Sequence, residues 1–348
     1  MPSITPPNSL ILDRAQGCLV GVALGDAMGM PGELWPRARL KAHFGWIDRF
    51  LPGPDGHAVV DGFAAGQVTD DTQQTLMLAE AILAASGQVR ADVIARRLVA
   101  WADRTGASEG NFLGPSSARA IQKLREGADP RATGRGGETN GAAMRIAPVG
   151  IVRSSSDVDA LVDSVVEATV MSHDTSIAVA GASLVAGVIS AALDAPEGPV
   201  DRDAIAARLQ VGFRAATMGA ARGEQVVAAS VVERSLLAYE IALSGTDDEG
   251  FLDRLYDVVG ASVASSESVP AAVGLLVRGG ADPCRVAILA ANLGGDTDTI
   301  GAIATGMAGA ISGLSAIPAH LAATLSSVNH INPAAVAARL LRERCHSM

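Results

Sequence analysis

The sequence has few aromatic residues and few cysteines for its 348 positions. Phe, Trp and Tyr together make up 3%, and the three cysteines, Cys18, Cys284 and Cys345, are widely spaced. An odd number of distant cysteines cannot form a disulfide framework, and the chain has no CxxC pattern of a zinc site. The N-terminus also lacks the basic start and apolar stretch of a secretion signal. We therefore expect a reducing, cytoplasmic location.

Charge is also scarce, and its balance is acidic. Charged residues make up 18% of the chain, and 27 Lys and Arg against 37 Asp and Glu give a net charge of −10. An acidic protein has no general field that attracts phosphate backbones or anionic lipid. We therefore expect no nucleic-acid partner. The sequence alone leaves the oligomeric state open.

Two uncharged runs, 176–193 and 299–319, approach the roughly 20 residues that a bilayer-spanning helix needs. Both consist mostly of Ala, Gly, Ser and Thr, and no cluster of Lys and Arg beside them sets a membrane topology. We expect buried helices here and no membrane partner.

The apolar residues recur with helical spacing nearly throughout. Ala91 to Arg104 has the pattern of an amphipathic helix, and similar stretches cover about 156–171, 203–220, 224–243, 268–278 and 282–292. No segment alternates apolar and polar residues as a half-buried strand does. The Gly-rich stretch 134–141 has the composition of a loop within a domain, and no clear linker is present. The sequence therefore predicts an all-α protein with a single domain over 1–348.

Four glycines recur every four residues in the first predicted helix, at Gly17, Gly21, Gly25 and Gly29. They form one stripe without side chains. Each glycine inside a helix costs about 0.5–1 kcal/mol relative to alanine. The stripe therefore indicates that another backbone or a ligand approaches closely.

Two acidic clusters precede apolar helices, Thr69-Asp70-Asp71-Thr72 and Gly294-Gly295-Asp296-Thr297-Asp298-Thr299. In a continuous helix their carboxylates would diverge, but at a helix N-terminus the cap residue and the first turn can face one point. The alternative is that these side chains merely cap the helices and complement their dipoles.

If the two clusters meet, four carboxylates lie together: Asp70, Asp71, Asp296 and Asp298. Their repulsion raises some pKa values strongly unless cations are present. Two divalent ions supply the balancing charge, and all-oxygen ligands favour Mg²⁺ or Mn²⁺. Paired metals can polarise a substrate oxygen and activate water. Separately, His173 is either a hydrogen-bond partner of the substrate or a structural cap.

Five segments resemble the ADP-ribosylglycohydrolase family. They span nearly the whole chain in the order found in that family, at 17–33, 69–73, 140–148, 172–173 and 294–300. The resemblance implies a compact, single-domain, multi-helix orthogonal bundle. It also implies a hydrolase that cleaves the glycosidic bond between ADP-ribose and an acceptor, on a protein side chain or a small molecule, and releases ADP-ribose.

The resemblance further implies site residues. The protein ligands of two Mg²⁺ ions, for which Mn²⁺ is a candidate substitute, fall on Thr69, Asp70, Asp71, Asp296, Asp298 and Thr299. Glu33, on a loop that we expect to move over the site, is the candidate acid/base or gate, and with Asp70 and Asp298 it forms the catalytic set. The implied substrate contacts are Gly110, Phe112, Gly114, Pro115, Ser116, Asn140, Gly141 and Met144, with the diphosphate at the 114–116 turn and adenine on Phe112.

Two other functions stay open. Because aromatic residues are so few, only Phe112, Tyr239 or Tyr256 can stack on adenine, and an N-glycosidase acting on a free nucleoside or small ribosyl metabolite is an alternative. A non-catalytic, crystallin-like structural protein is the other, and the complete set of six metal ligands speaks against it. No motif specifies the leaving group, so arginine, serine, another side chain and a free base all stay open.

Overall fold

Helices account for the regular secondary structure in the part of the chain that the structure describes. This computed structural model describes residues 9–107 and 113–346, and β-pairing there is limited to isolated bridges. The α-helices are α1 Ser9–Gly29, α2 Arg37–Phe44, α3 Asp70–Ala84, α4 Ala91–Thr105, α5 Pro115–Arg125, α6 Pro130–Thr133, α7 Ala147–Val152, α8 Val158–Thr169, α9 Ser176–Asp194, α10 Arg202–Arg222, α11 Val231–Ala242, α12 Asp248–Arg254, α13 Ser265–Arg278, α14 Pro283–Ala291, α15 Thr297–Ser312, α16 Ala319–Asn329 and α17 Pro333–His346. The predicted all-α class is confirmed.

Helices α1 and α15 pack backbone against backbone, and this contact explains the glycine stripe of α1. A Cβ on Gly25 would lie 2.0 Å from the carbonyl oxygen of Gly301, and a Cβ on Gly29 would lie 2.2 Å from that of Thr297. No side chain fits at such distances, so the stripe serves close helix packing. The antiparallel pair brings the C-terminal half of α1 beside the N-terminus of α15.

Helix α9 is the most apolar of the long helices. It is long and apolar enough to cross a membrane, but its apolar stretch is completely buried within the protein. It packs against α7, α8, α10 and α15. The other uncharged run, 299–319, is not one helix, because α15 ends at Ser312 and Gly313 adopts a φ of +85°. The first run is therefore a buried core helix, as expected, whereas the second is buried within α15 but exposed at 315–316 and 318–319, where the expectation of a buried helix is wrong.

Most predicted helices have nearly the expected bounds, but one begins later. The stretch 224–243 was expected to be a single helix, whereas α11 begins at Val231. The backbone of Glu224 is already used elsewhere: its N–H donates to Asp174 O at 2.7 Å and its carbonyl accepts from Ser176 N at 2.7 Å. Ser230 then supplies the N-cap, since its Oγ accepts from Glu233 N.

Candidate active site

The N-terminus of α3 is capped from another helix. Its N-cap residue, Thr69, makes no capping bond with its own side chain. Instead the Asp26 carboxylate of α1 accepts the N–H groups of Thr69 and Thr72, at 2.9 and 3.0 Å, and both hydroxyls, at 2.9 and 2.5 Å. Asp26 thus satisfies two of the free N–H groups at this helix terminus. The carboxylates of Asp70 and Asp71 are left for another role.

Sequence reasoning missed Asp26. It is fully buried and is the only charged residue in the last half of α1. A lone carboxylate in an apolar, glycine-striped helix was the available signal, because an ionised group is rarely buried without partners.

The N-terminus of α15 is fixed by two glycines in left-handed conformations. Gly294 and Gly295 have φ values of +83° and +79°, and a Cβ on Gly295 would lie 2.0 Å from the Ala261 carbonyl oxygen. Asp296 follows as the N-cap residue and, like Thr69, makes no side-chain capping bond. Its Oδ2 instead accepts from Asn140 Nδ2 at 2.5 Å. Simple helix capping therefore does not explain either cluster.

The two clusters meet. Thr299 Oγ1 of the second cluster donates to Asp71 Oδ2 of the first at 3.4 Å. The six predicted ligand residues are all buried, and two buried carboxylate oxygens, Asp71 Oδ1 and Asp298 Oδ1, have no hydrogen-bond partner among the described residues. The geometry thus brings together the residues that the sequence predicted would converge.

Burial and mutual repulsion in this cluster disfavour the simultaneous ionisation of all its carboxylates. Burial first, and then the charges of neighbouring carboxylates, raise the pKa of Asp70 to about 7 and that of Asp71 and Asp298 well above the ordinary range. Burial also raises the pKa of Asp26 and Asp296 to about 6. Cations would relieve this repulsion.

The carboxylate and hydroxyl oxygens of the cluster are nevertheless not arranged in the geometry of a complete metal-coordination sphere. Across the described ranges, no group of three or more His, Cys, Asp or Glu side chains has the arrangement of a metal-binding cluster. Hydrogen bonds hold several of the oxygens instead: Thr69 Oγ1 donates to Asp26, Gln74 Nε2 donates to Asp70 Oδ2, and Asn140 Nδ2 donates to Asp296 Oδ2. The unpartnered oxygens of Asp71 and Asp298, together with the purely oxygen donor set, fit hard divalent cations.

Glu33 lies over the cluster on a segment that is anchored, in contrast to the mobile loop expected from the sequence. Leu34, with a φ of +56°, donates its N–H to Gly295 O at 2.7 Å, and Gly295 N donates to Trp35 O at 2.8 Å. His57 Nε2 lies 3.0 Å from the Glu33 carbonyl oxygen. Its Nδ1 accepts from two backbone N–H groups, so Nε2 carries the proton and donates. Glu33 Oε2 is buried and has no partner within the described chain.

A cleft of about 140 Å³ opens onto three of the four clustered carboxylates, Asp70, Asp296 and Asp298, whereas Thr69 and Asp71 do not line it. Five of the predicted substrate contacts line it, namely Gly114, Pro115, Asn140, Gly141 and Met144, together with Glu33, Asp70, Asp296, Asp298 and Thr299. Ser116 does not line it: α5 begins at Pro115, and this turn places Ser117 in the wall and buries Ser116. Gly110 and Phe112 lie outside the described residues.

His173 lies behind the wall of this cleft. It is fully buried, and its Nε2 lies 3.0 Å from Oγ1 of Thr139, which does line the cleft. A direct contact between His173 and substrate stays a prediction.

An adjoining cleft of about 420 Å³ shares Leu34, Val263 and Asp296 with the acidic one. Tyr256, one of the three candidate adenine-stacking residues, lines it. Tyr239 and Tyr256 both pack, partly buried, against the core, but Tyr239 lines neither of these two clefts.

A larger cleft, of about 750 Å³, lies between α3 and α4 on the other side of residues 67–73. Its amide side chains are used within the protein: Gln73 Oε1 accepts from Trp101 Nε1, and Asn329 bonds to the backbone of Val68 and Gly66. Its described lining contains a single carboxylate, Glu80, so the smaller acidic cleft is the better candidate for the active site.

This fold and its acidic cleft correspond to a class of all-helical hydrolases that act on glycosyl bonds. The chain belongs to the ADP-ribosylglycohydrolase family, whose model matches residues 7–347. It is 43% identical over 292 residues to the uncharacterized protein YegU of Escherichia coli K12, covering 83% of this chain and 85% of that protein. It is 32% identical over 203 residues to the ADP-ribosylarginine hydrolase Tri1 of Pseudomonas putida, covering 55% and 49%.

A solved structure, described as an ADP-ribosylglycohydrolase-related protein complex, matches with a TM-score of 0.69 and 25% identity over 97% of this chain and all of that one. These relationships make the protein a hydrolase that acts on glycosyl bonds. They set aside a non-catalytic, crystallin-like role.

Proposed function

We propose that the protein hydrolyses the glycosidic bond between the ribose C1″ of an ADP-ribosyl group and its acceptor, in a reaction that depends on two Mg²⁺ ions. The observation that carries this proposal is the convergence of two helix N-termini, with their buried, partly unpartnered carboxylates, on one cleft. The name of the Pseudomonas putida relative supports arginine as one candidate acceptor.

The proposed ligands are Thr69, Asp70, Asp71, Asp296, Asp298 and Thr299. When bound, divalent ions would neutralise these carboxylates and supply Lewis acidity toward ribose oxygens and water. Asp26 keeps the first cluster in place from α1, and Asn140 orients Asp296.

The remaining steps belong to the chain itself. Cleavage through an oxocarbenium-like state requires a proton donor for the leaving group. Glu33 lines the cleft with an unpartnered carboxylate oxygen and is our candidate donor. The N-terminus of α5, with Gly114 as N-cap residue, lies in the same wall and offers backbone N–H groups to the diphosphate.

A smaller ribosyl substrate is the second candidate, and the size of the acidic cleft favours it. A volume of about 140 Å³ is well below the roughly 300–1,000 Å³ of usual ligand pockets. Its described lining also contains no aromatic side chain. For a whole ADP-ribosyl group, the adjoining cleft beside Tyr256 would have to receive part of the nucleotide.

A substrate panel separates the two candidates. ADP-ribosyl-arginine and ADP-ribosyl-serine peptides are compared with free nucleosides and ribosides, each with Mg²⁺ and with a chelator. Release of ADP-ribose from a peptide only with Mg²⁺ supports the first candidate. Turnover of free ribosides alone supports the second, and full activity in chelator contradicts the metal dependence of both.

A further inference from the structure

Arg145 is fully buried beside the acidic cleft, yet its guanidinium bonds to neutral side chains. Nη1 donates to Gln74 Oε1 at 2.7 Å, and Nη2 donates to Ser172 Oγ at 2.5 Å. Nε has no hydrogen-bond partner among the described residues. A buried arginine is ordinarily paired with a carboxylate, whereas Arg145 bonds to an amide oxygen and a hydroxyl oxygen.

The first arm of this network reaches a proposed metal ligand. Arginine only donates hydrogen bonds, so Gln74 must turn its Oε1 toward Arg145. Its Nε2 is thereby directed to Asp70 Oδ2, to which it donates at 2.7 Å. Arg145 therefore determines the orientation of the Gln74 amide, and through it which oxygen of Asp70 is held and which stays available.

The second arm reaches the wall of the cleft. Ser172 Oγ accepts from Arg145, and His173 Nδ1, at 2.8 Å, is the acceptor that the described residues offer to its hydroxyl hydrogen, so this hydroxyl donates to the ring. Burial, and then the charges of Arg145 and Arg119, lower the pKa of His173 well below its ordinary range, so the ring is neutral with one N–H. That N–H is on Nε2, 3.0 Å from Thr139 Oγ1.

The His173 ring also packs directly behind the segment that lines the cleft. A Cβ on Gly141 would lie 2.9 Å from its Cε1. The position of the ring is thus coupled to the backbone beside Asn140, whose side chain orients Asp296.

We propose that Arg145 is a positioning residue that orients the Asp70 carboxylate through Gln74 and fixes the Nε2–H tautomer of His173 through Ser172. It thereby fixes the orientation of the proposed metal ligand Asp70 and the position of His173 behind the wall of the cleft. The inference rests on the proposed function for the role of Asp70, whereas the His173 arm is independent of metal.

Three variants separate the arms. Gln74→Met removes the donor to Asp70, Ser172→Ala removes the donor to His173, and Arg145→Lys keeps the charge. A lysine ammonium cannot span both acceptors in the geometry of the guanidinium fork. Arg344→Lys is the matched control, because Arg344 is also buried but bonds to Ile151 O and Asp194, away from the cleft.

The first readout is the Mg²⁺ concentration that half-saturates the rise in melting temperature. Loss of a group that orients a metal ligand weakens metal affinity about 10- to 100-fold. We expect this loss for Gln74→Met and not for Ser172→Ala. The second readout is the imidazole ¹⁵N spectrum of His173, assigned by its disappearance in His173→Gln. We expect one Nε2–H tautomer in the wild type and in Gln74→Met, and a mixture in Ser172→Ala.

Arg145→Lys should move at least one readout, and Arg344→Lys should lower the melting temperature and move neither. Folded Arg145→Lys protein with wild-type Mg²⁺ affinity and the wild-type tautomer would overturn the inference. If Arg145→Lys does not fold, unchanged readouts in both Gln74→Met and Ser172→Ala overturn it instead. Absence of any Mg²⁺ response in the wild type would contradict the proposed function, while the tautomer would still decide whether Arg145 and Ser172 position His173.

Discussion

Thr299 Oγ1 lies 3.4 Å from Asp71 Oδ2, although 228 positions separate the two residues in the chain. This contact joins the N-terminus of α15 to that of α3. It depends on the glycine-mediated contact of α1 with α15, and on Asp26 of α1, which holds the first turn of α3. One helix thus positions both halves of the candidate site.

Asp26→Ala should disrupt the first half of the site. Removing this carboxylate leaves the N–H groups of Thr69 and Thr72 without their acceptor, which we expect to cost about 1–3 kcal/mol in the free energy of unfolding. Urea unfolding measures the cost, and Mg²⁺-dependent stabilisation should fall as well. Asp201→Ala is the control, because Asp201 caps α10 through Ala204 N and should cost about 0.5–2 kcal/mol without any effect on Mg²⁺. An unchanged Mg²⁺ response in folded Asp26→Ala would argue against its positioning role.

Glu33→Gln tests proton donation to the leaving group. The substitution keeps the size of the side chain and its hydrogen-bonding capacity, and a direct acid/base role predicts that kcat falls roughly 10²–10⁴-fold. Steady-state kinetics on the substrate found in the panel measure this. A rise in KM with nearly constant kcat would instead assign Glu33 to binding or gating.

The folded protein should lose stability in mild acid through His57. Burial lowers the pKa of His57 and Arg39 adds to this effect, while the bond to the Glu33 carbonyl and the charge of Asp61 act in the opposite direction. A histidine whose pKa is lower in the folded state contributes stability above its unfolded pKa of about 6.5, and this stability is lost as the pH falls through that value toward the folded pKa. His57→Gln keeps an acceptor and a donor without titrating. The free energy of unfolding should therefore depend less on pH in the variant, and equal slopes in both proteins would contradict this account.

Gly25→Ala tests the close contact of α1 with α15. A methyl group 2.0 Å from the Gly301 carbonyl oxygen forces the helices apart, which we expect to cost roughly 1–3 kcal/mol. Gly198→Ala is the control, because nothing lies within 4 Å of its added Cβ. A melting temperature of Gly25→Ala equal to that of the control would mean that the helices tolerate separation.

Local sequence signals predicted that the two acidic clusters can converge and that something approaches the glycine stripe closely, because helix N-termini and interior glycines have direct physical consequences. They left open whether a backbone or a ligand makes that approach, and the structure shows the backbone of α15. They did not predict the anchoring of Glu33. That feature depends on hydrogen bonds between residues 34–35 and Gly295, which are far apart in the chain. Asp26 and Arg145 were missed because their hydrogen bonds to Thr69, Thr72, Gln74 and Ser172 form only when segments distant in the chain pack together.

The central claim is that the two clusters form one binuclear metal site, and calorimetric titration with Mg²⁺ or Mn²⁺ tests it most directly. We predict about two ions bound per wild-type chain, from the charge of four carboxylates. Asp70→Asn and Asp298→Asn should each weaken binding and abolish most activity, and the double variant should be scarcely worse than either single one, because the residues act as a unit. Wild-type metal affinity and activity in either single variant would contradict a shared site.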